Sequence, residues 1–151
     1  MVTAATTSPK RFILAFVAGF LATLVFHQLA LAALWAVALA PVAPYSLAAT
    51  APFGVPAVFS LAFWGGVWGI VYALVDRWFP YGGGYWLAAF LFGGVFPTLV
   101  ALLLVAPLKG AAFAVGWNPQ VWLMALLING AWGVGTGVFL RWFSGMHRLA
   151  S

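Results

Sequence analysis

Cysteine is absent, and acidic side chains nearly so: Asp76 is the only one in 151 residues. The first absence excludes disulfides, thiolate chemistry and cysteine-based zinc or iron–sulfur sites. The second removes the paired carboxylates of general acid–base catalysis and the intramembrane carboxylate of a proton-driven antiporter. No Ser/His/Asp set, HExxH motif, phosphate-binding glycine loop or metal-ligand cluster can be read in the chain. It is therefore expected not to be an enzyme.

Charge of either sign is scarce, at 5% of residues. The net charge of +5 rests on Lys10, Arg11, Arg77, Lys109, Arg141 and Arg148, scattered between apolar runs. Such a scatter forms no stripe that can follow a phosphate backbone, so nucleic acid is not an expected partner. On a membrane protein the same charges report orientation and contact with anionic headgroups.

What fills the chain is apolar: 66% of residues are hydrophobic and 18% aromatic. Four long stretches carry no charge, and each exceeds or approaches the ~20 residues that cross a hydrocarbon core. The expected fold is an all-α membrane protein, a four-helix transmembrane bundle with spans at about 12–40, 57–75, 85–106 and 121–143. Helices are required because an unpaired backbone polar group in lipid costs several kcal/mol. Lys10-Arg11 before the first run has the outline of a secretory signal, but the run continues to Ala40. A signal core spans roughly 7–15 residues, so this one reads as a retained helix.

Punctuation between the spans is dense. Pro41, Pro44, Pro52, Gly54 and Pro56 mark an uncharged loop at the membrane surface, and Asp76-Arg77 followed by Pro80 and Gly82-Gly83-Gly84 ends the second span. Residues 1–9 and the tail from Ser144 are expected outside the membrane, and Asp76-Arg77 is expected to be a local surface ion pair. Five basic residues fall on the side of the two termini and the 76–84 loop, with Lys109 alone opposite. That asymmetry predicts both termini in the cytoplasm. Trp78, Trp86, Trp117, Trp122 and Trp142 lie near span ends, as an interfacial aromatic belt requires.

The second and fourth spans repeat a pattern. Gly66-Val67-Trp68-Gly69 with Arg77-Trp78-Phe79 returns 64 positions later as Gly130-Ala131-Trp132-Gly133 with Arg141-Trp142-Phe143. More loosely, Gly19-x-x-x-Thr23-Leu24-Val25 matches Gly94-x-x-x-Thr98-Leu99-Val100 at an offset of 75. The chain thus reads as two tandem helical hairpins, 12–79 and 85–143, related by an axis along the membrane normal. Small residues at four-residue spacing, Gly65, Gly69 and Ala73 in the second span with Gly133 and Gly137 following Asn129 at the corresponding positions of the fourth, are expected to let helix backbones approach closely, and Gly19 of the first span is a further packing glycine.

His27 is the first candidate site, because it shares one face of the first span with Ala15, Gly19 and Thr23 and so points into the bundle. There it can ligate a haem or chlorophyll, hydrogen-bond a quinone carbonyl, pass a proton, or only hold helices in register through Gln28, Thr98 or Asn129. Asn129, standing where the repeat has Gly65, is a second candidate for ligand contact or for an interhelical hydrogen bond. Pro97 is expected to kink the third span and free a carbonyl near Gly93. No cofactor is specified by these residues.

Three functions remain. The chain is expected to be a non-catalytic accessory or structural subunit of a larger membrane complex, meeting lipids and other membrane subunits. Alternatively it is a small homo-oligomeric transporter or channel, or a carrier of haem, chlorophyll or quinone through His27. The segment PYSLAATAPFGVPAVFSLAFWGG and the RWF span ends are similar to small bacterial membrane proteins rich in alanine, glycine and tryptophan. The resemblance implies a bacterial inner membrane.

Overall fold

The computed structural model describes residues 9–149, with side chains to Gly145. The expected N-terminal surface segment up to residue 8, and the His147 and Arg148 side chains, lie outside that range. Four helices are long and apolar enough to cross a membrane: α1 (Pro9–Ala36), α2 (Ala57–Trp78), α3 (Gly83–Leu108) and α4, whose apolar span is Pro119–Gly145 within a helix reaching Leu149. Their length and apolar composition are those of a small helical membrane protein.

Every boundary but the start of α2 differs from the sequence expectation, and three of the differences have a clear local cause. Helix α1 begins at Pro9, where a proline suits the first turn because its missing N–H has no helical acceptor. It ends at Ala36 and not at Ala40, since Ala38 turns left-handed (φ 58°) and the amides of Leu39 and Ala40 fold back onto the Leu34 carbonyl. Helix α4 continues through the segment expected to be a tail, because nothing after Phe143 breaks it: Gly145 lowers propensity without stopping a helix.

The 41–56 loop is more structured than its prolines suggest. Ala49–Thr50 (β1) pairs antiparallel with Val55–Pro56 (β2), and the Thr50 hydroxyl donates to the Val55 carbonyl at 2.7 Å. The loop then leans on α1: the Tyr45 amide donates to Gln28 Oε1 at 2.6 Å, and its hydroxyl donates to the Leu24 carbonyl at 2.8 Å. Leu24 lies in a π-helical turn, Thr23–His27, where the regular ladder is broken and a carbonyl needs another donor. A second π-helical turn, Ala101–Val105, follows Pro97 in α3.

Helix α2 packs along α1, α1 against α4, and α4 along α3. Glycine makes the closest contacts possible. A Cβ on Gly69 would meet the Ala15 carbonyl and the Gly19 Cα, and one on Gly133 would meet the Ala89 carbonyl and the Gly93 Cα. Phe16 fills the space beside Gly66, as Phe90 does beside Gly130. Equivalent contacts in the two pairs thus join Ala15 to Ala89, Phe16 to Phe90 and Gly19 to Gly93, 74 residues apart. The packing register is therefore one residue off the 75 given by the Gly-x-x-x-Thr-Leu-Val match. Backbone contact, not side-chain identity, sets it. Gly65 faces the Thr23 hydroxyl, and Gly137 makes room for the hydroxyls of Tyr72 and Tyr85 and not for a helix backbone.

Between α3 and α4 the chain makes a turn with four consecutive left-handed residues, Ala114, Val115, Gly116 and Trp117 (φ 53°, 53°, 63° and 55°). Trp122 holds it by donating from Nε1 to the Ala114 carbonyl at 3.0 Å and stacking on Trp117 at 5.4 Å. A β-branched residue is strained in that region by about 1–2 kcal/mol relative to glycine. Val115→Gly is therefore expected to raise stability by about 1 kcal/mol. Thermal unfolding in detergent measures it, and an unchanged or lower midpoint refutes the strain.

Candidate functional site

Helices α2 and α3 touch through aromatic rings near the end that carries Arg11 and Arg141. Tyr72 lies edge-on to Phe92 at 5.5 Å and to Phe79 at 5.4 Å, and its hydroxyl donates to that of Tyr85 at 3.1 Å. Trp68 meets Phe92 at 6.4 Å. Toward the Lys109 end the two helices separate, and the gap is a cleft of about 800 Å³. Its walls are apolar: Leu61, Trp64 and Val71 on one side, Val100, Leu104 and Val105 on the other. Its floor, formed by α1 and α4, is Thr23, His27, Asn129 and Trp132. Both π-helical turns contribute to the lining, and Lys109 and Thr50 stand at the mouth.

The two candidates that sequence reasoning named thus line one cleft. They do not bond each other. Asn129 Nδ2 donates to the Thr98 hydroxyl at 2.9 Å, tying α4 to α3. His27 Nδ1 faces Gln28 Nε2 at 3.4 Å. Gln28 is buried, and its Oε1 accepts from the Tyr45 amide, which can only donate. The amide orientation is therefore settled, Nε2 is the donor, and Nδ1 of a neutral imidazole accepts. That contact, at 3.4 Å, favours the tautomer with the ring proton on Nε2. A histidine in this tautomer offers a hydrogen-bond donor; to bind a metal through Nε2 it needs its proton on Nδ1.

The remaining floor donors are already used. Trp132 Nε1 donates to the Gly19 carbonyl at 3.0 Å, and the Thr23 hydroxyl donates to the same oxygen at 3.0 Å. Sequence reasoning missed Trp64, Trp68 and Trp132 as cleft residues, although the last two are the tryptophans of the repeated Gly-x-Trp-Gly blocks. That repetition was the available signal: a large ring beside a packing glycine must project away from the helix contact. Among the described residues no group of three metal-ligating side chains exists.

Asp76 is the other correction. It does not pair with Arg77: Arg11 donates to its Oδ1 at 2.7 Å and to the Ala73 carbonyl at 3.0 Å. Neighbours in a turn diverge, whereas α1 runs past the end of α2 and places Arg11 directly over the carboxylate. Arg77 instead lies over the Trp78 ring at 4.3 Å. No family model, curated protein or solved structure matches the chain.

Proposed function

We propose that the protein is a non-catalytic accessory component of a membrane assembly that holds a lipid-soluble, carbonyl-bearing ligand of the quinone type in the cleft between α2 and α3. The observation that carries this reading is the contact of His27 Nδ1 with Gln28 Nε2 at 3.4 Å: an imidazole that accepts there keeps its Nε2–H to donate, which suits a carbonyl acceptor in a largely apolar cleft and disfavours axial ligation of haem or chlorophyll. An apolar pocket with a few convergent polar groups is the usual form of a small-molecule site. The long apolar walls suit an isoprenoid or acyl tail that enters from lipid between the two helices.

The repeated glycine contacts support descent from a duplicated hairpin, and the basic residues support cytoplasmic termini in a bacterial inner membrane. Tyr72, Phe79, Tyr85 and Phe92 close the cleft before the arginine end, which favours a holder of ligand over an open channel.

Three of the nine tryptophans, Trp64, Trp68 and Trp132, line the cleft and serve as reporters, because quinones quench indole fluorescence. A short-chain benzoquinone added to the detergent-purified protein is expected to quench saturably. His27→Ala should weaken binding roughly tenfold, the worth of one hydrogen bond. Ala101→Trp, which fills the cleft, should abolish the saturable component. Quenching that rises linearly with quinone, or that is the same in both variants, defeats the proposal.

A further inference from the structure

At the opposite end of the bundle from Lys109 a second, open pocket of about 760 Å³ is lined by Lys10 and Arg11 of α1, Asp76 and Arg77 at the end of α2, Tyr85 of α3, and Arg141 and Ser144 of α4. Four cations surround it against one carboxylate. That carboxylate is the only acidic side chain in the sequence, and Arg11 occupies it. Asp76 is thus shared between Arg11, which bonds it, and the more distant charge of Arg141, and one carboxylate cannot balance the cations around the pocket.

The two arginines are nonetheless held in place. Arg141 lies over the Tyr85 ring at 3.6 Å and the Trp86 ring at 5.0 Å, as Arg77 lies over Trp78. A guanidinium stacked by its face keeps its edge N–H donors; Arg141 also reaches the Tyr85 oxygen with one of them, and the rest of the edge matches the oxygens of a phosphate. Tyr85 adds a donor: its oxygen accepts from the buried Tyr72, which leaves its own proton to give. Leu14, Phe79 and Leu140 supply an apolar wall beside these groups.

We infer that this pocket binds a phosphate-bearing anion of the kind presented by an anionic membrane lipid. Phosphate satisfies the surplus positive charge, and the apolar wall, at a helix end ringed by Trp78, Trp86 and Trp142, suits the start of an acyl chain. Basic pockets between transmembrane helices take anionic headgroups for these reasons. The site is separate from the His27 cleft, and its occupancy does not depend on what that cleft holds.

The test is native mass spectrometry of the full chain in detergent supplied with phosphatidylglycerol, phosphatidylcholine or inorganic phosphate. Retention of phosphatidylglycerol well above phosphatidylcholine is expected, falling roughly tenfold in Arg141→Gln and in Arg77→Gln. Lys109→Gln, the same loss of charge at the other end, should leave retention unchanged. Both arginines are exposed, so Arg77→Gln decides the matter if Arg141→Gln fails to fold. Displacement of the lipid by millimolar inorganic phosphate identifies the phosphate group as what is recognised; resistance to it shows that the lipid as a whole is bound. Equal retention of both lipids, or an equal loss from Lys109→Gln, overturns the inference.

Discussion

Gly69→Leu and Gly133→Leu are each expected to destabilise the protein by at least about 3 kcal/mol, the upper range for forcing volume into a packed core. At Gly69 the added carbon falls against the Ala15 carbonyl and 3.0 Å from the Gly19 Cα; at Gly133 it falls against the Ala89 carbonyl and 3.0 Å from the Gly93 Cα. The obstructing atoms are backbone, so no rotamer change relieves the clash and the helices must part. In lipid that parting is not opposed by a hydrophobic drive between helices, only by the packing itself. Gly83→Leu is the control, because nothing lies within 4 Å of a Cβ there. Unfolding in mixed detergent micelles measures all three, and equal midpoints for Gly83→Leu and Gly69→Leu would sink the prediction.

Much of this architecture was legible because membranes impose few solutions. Runs without charge announce spans: the regular helix of α2 fills its apolar run from Ala57 to Val75, and a tighter turn carries α2 on to Trp78. Gly69 and Gly133 were legible as contact sites from their spacing, since only small residues let backbones touch. Partners across space were not: Asp76 beside Arg77 in sequence suggests a local pair, and only the way α1 passes the end of α2 reveals Arg11. The packing register of α1 and α3 was out of reach for a related reason. Gly94 fits the motif but Gly93 makes the closer approach to α4, against Gly133, and which of the two adjacent glycines does so depends on helix rotation. His27 and Asn129 could be named singly from their polarity, yet their sharing of a cleft depends on α2 and α3 diverging past Trp68. No local pattern encodes that divergence.

Trp132 is where the two helix pairs meet, and Trp132→Ala is expected to cost about 3–5 kcal/mol, as truncation of a buried aromatic does. The ring is 3% exposed, lies edge-on to Tyr72 at 6.4 Å, and reaches from α4 to the Gly19 carbonyl on α1. Trp132→Phe separates the two contributions. It keeps most of the ring and removes the N–H, while the Thr23 hydroxyl still donates to the Gly19 carbonyl, so no buried acceptor is orphaned. A loss of only about 1 kcal/mol is therefore expected for phenylalanine, the net worth of one satisfied hydrogen bond. Because Trp132 also forms cleft floor beside Asn129, the alanine variant enlarges the proposed ligand site as it loosens the helices. Its quinone affinity should fall along with its stability, whereas the phenylalanine variant should bind within a factor of about three of the parent. Unfolding and fluorescence titration of the two variants check this. If phenylalanine destabilises as much as alanine, the hydrogen bond to Gly19, and not the packing of the ring, is what joins α4 to α1.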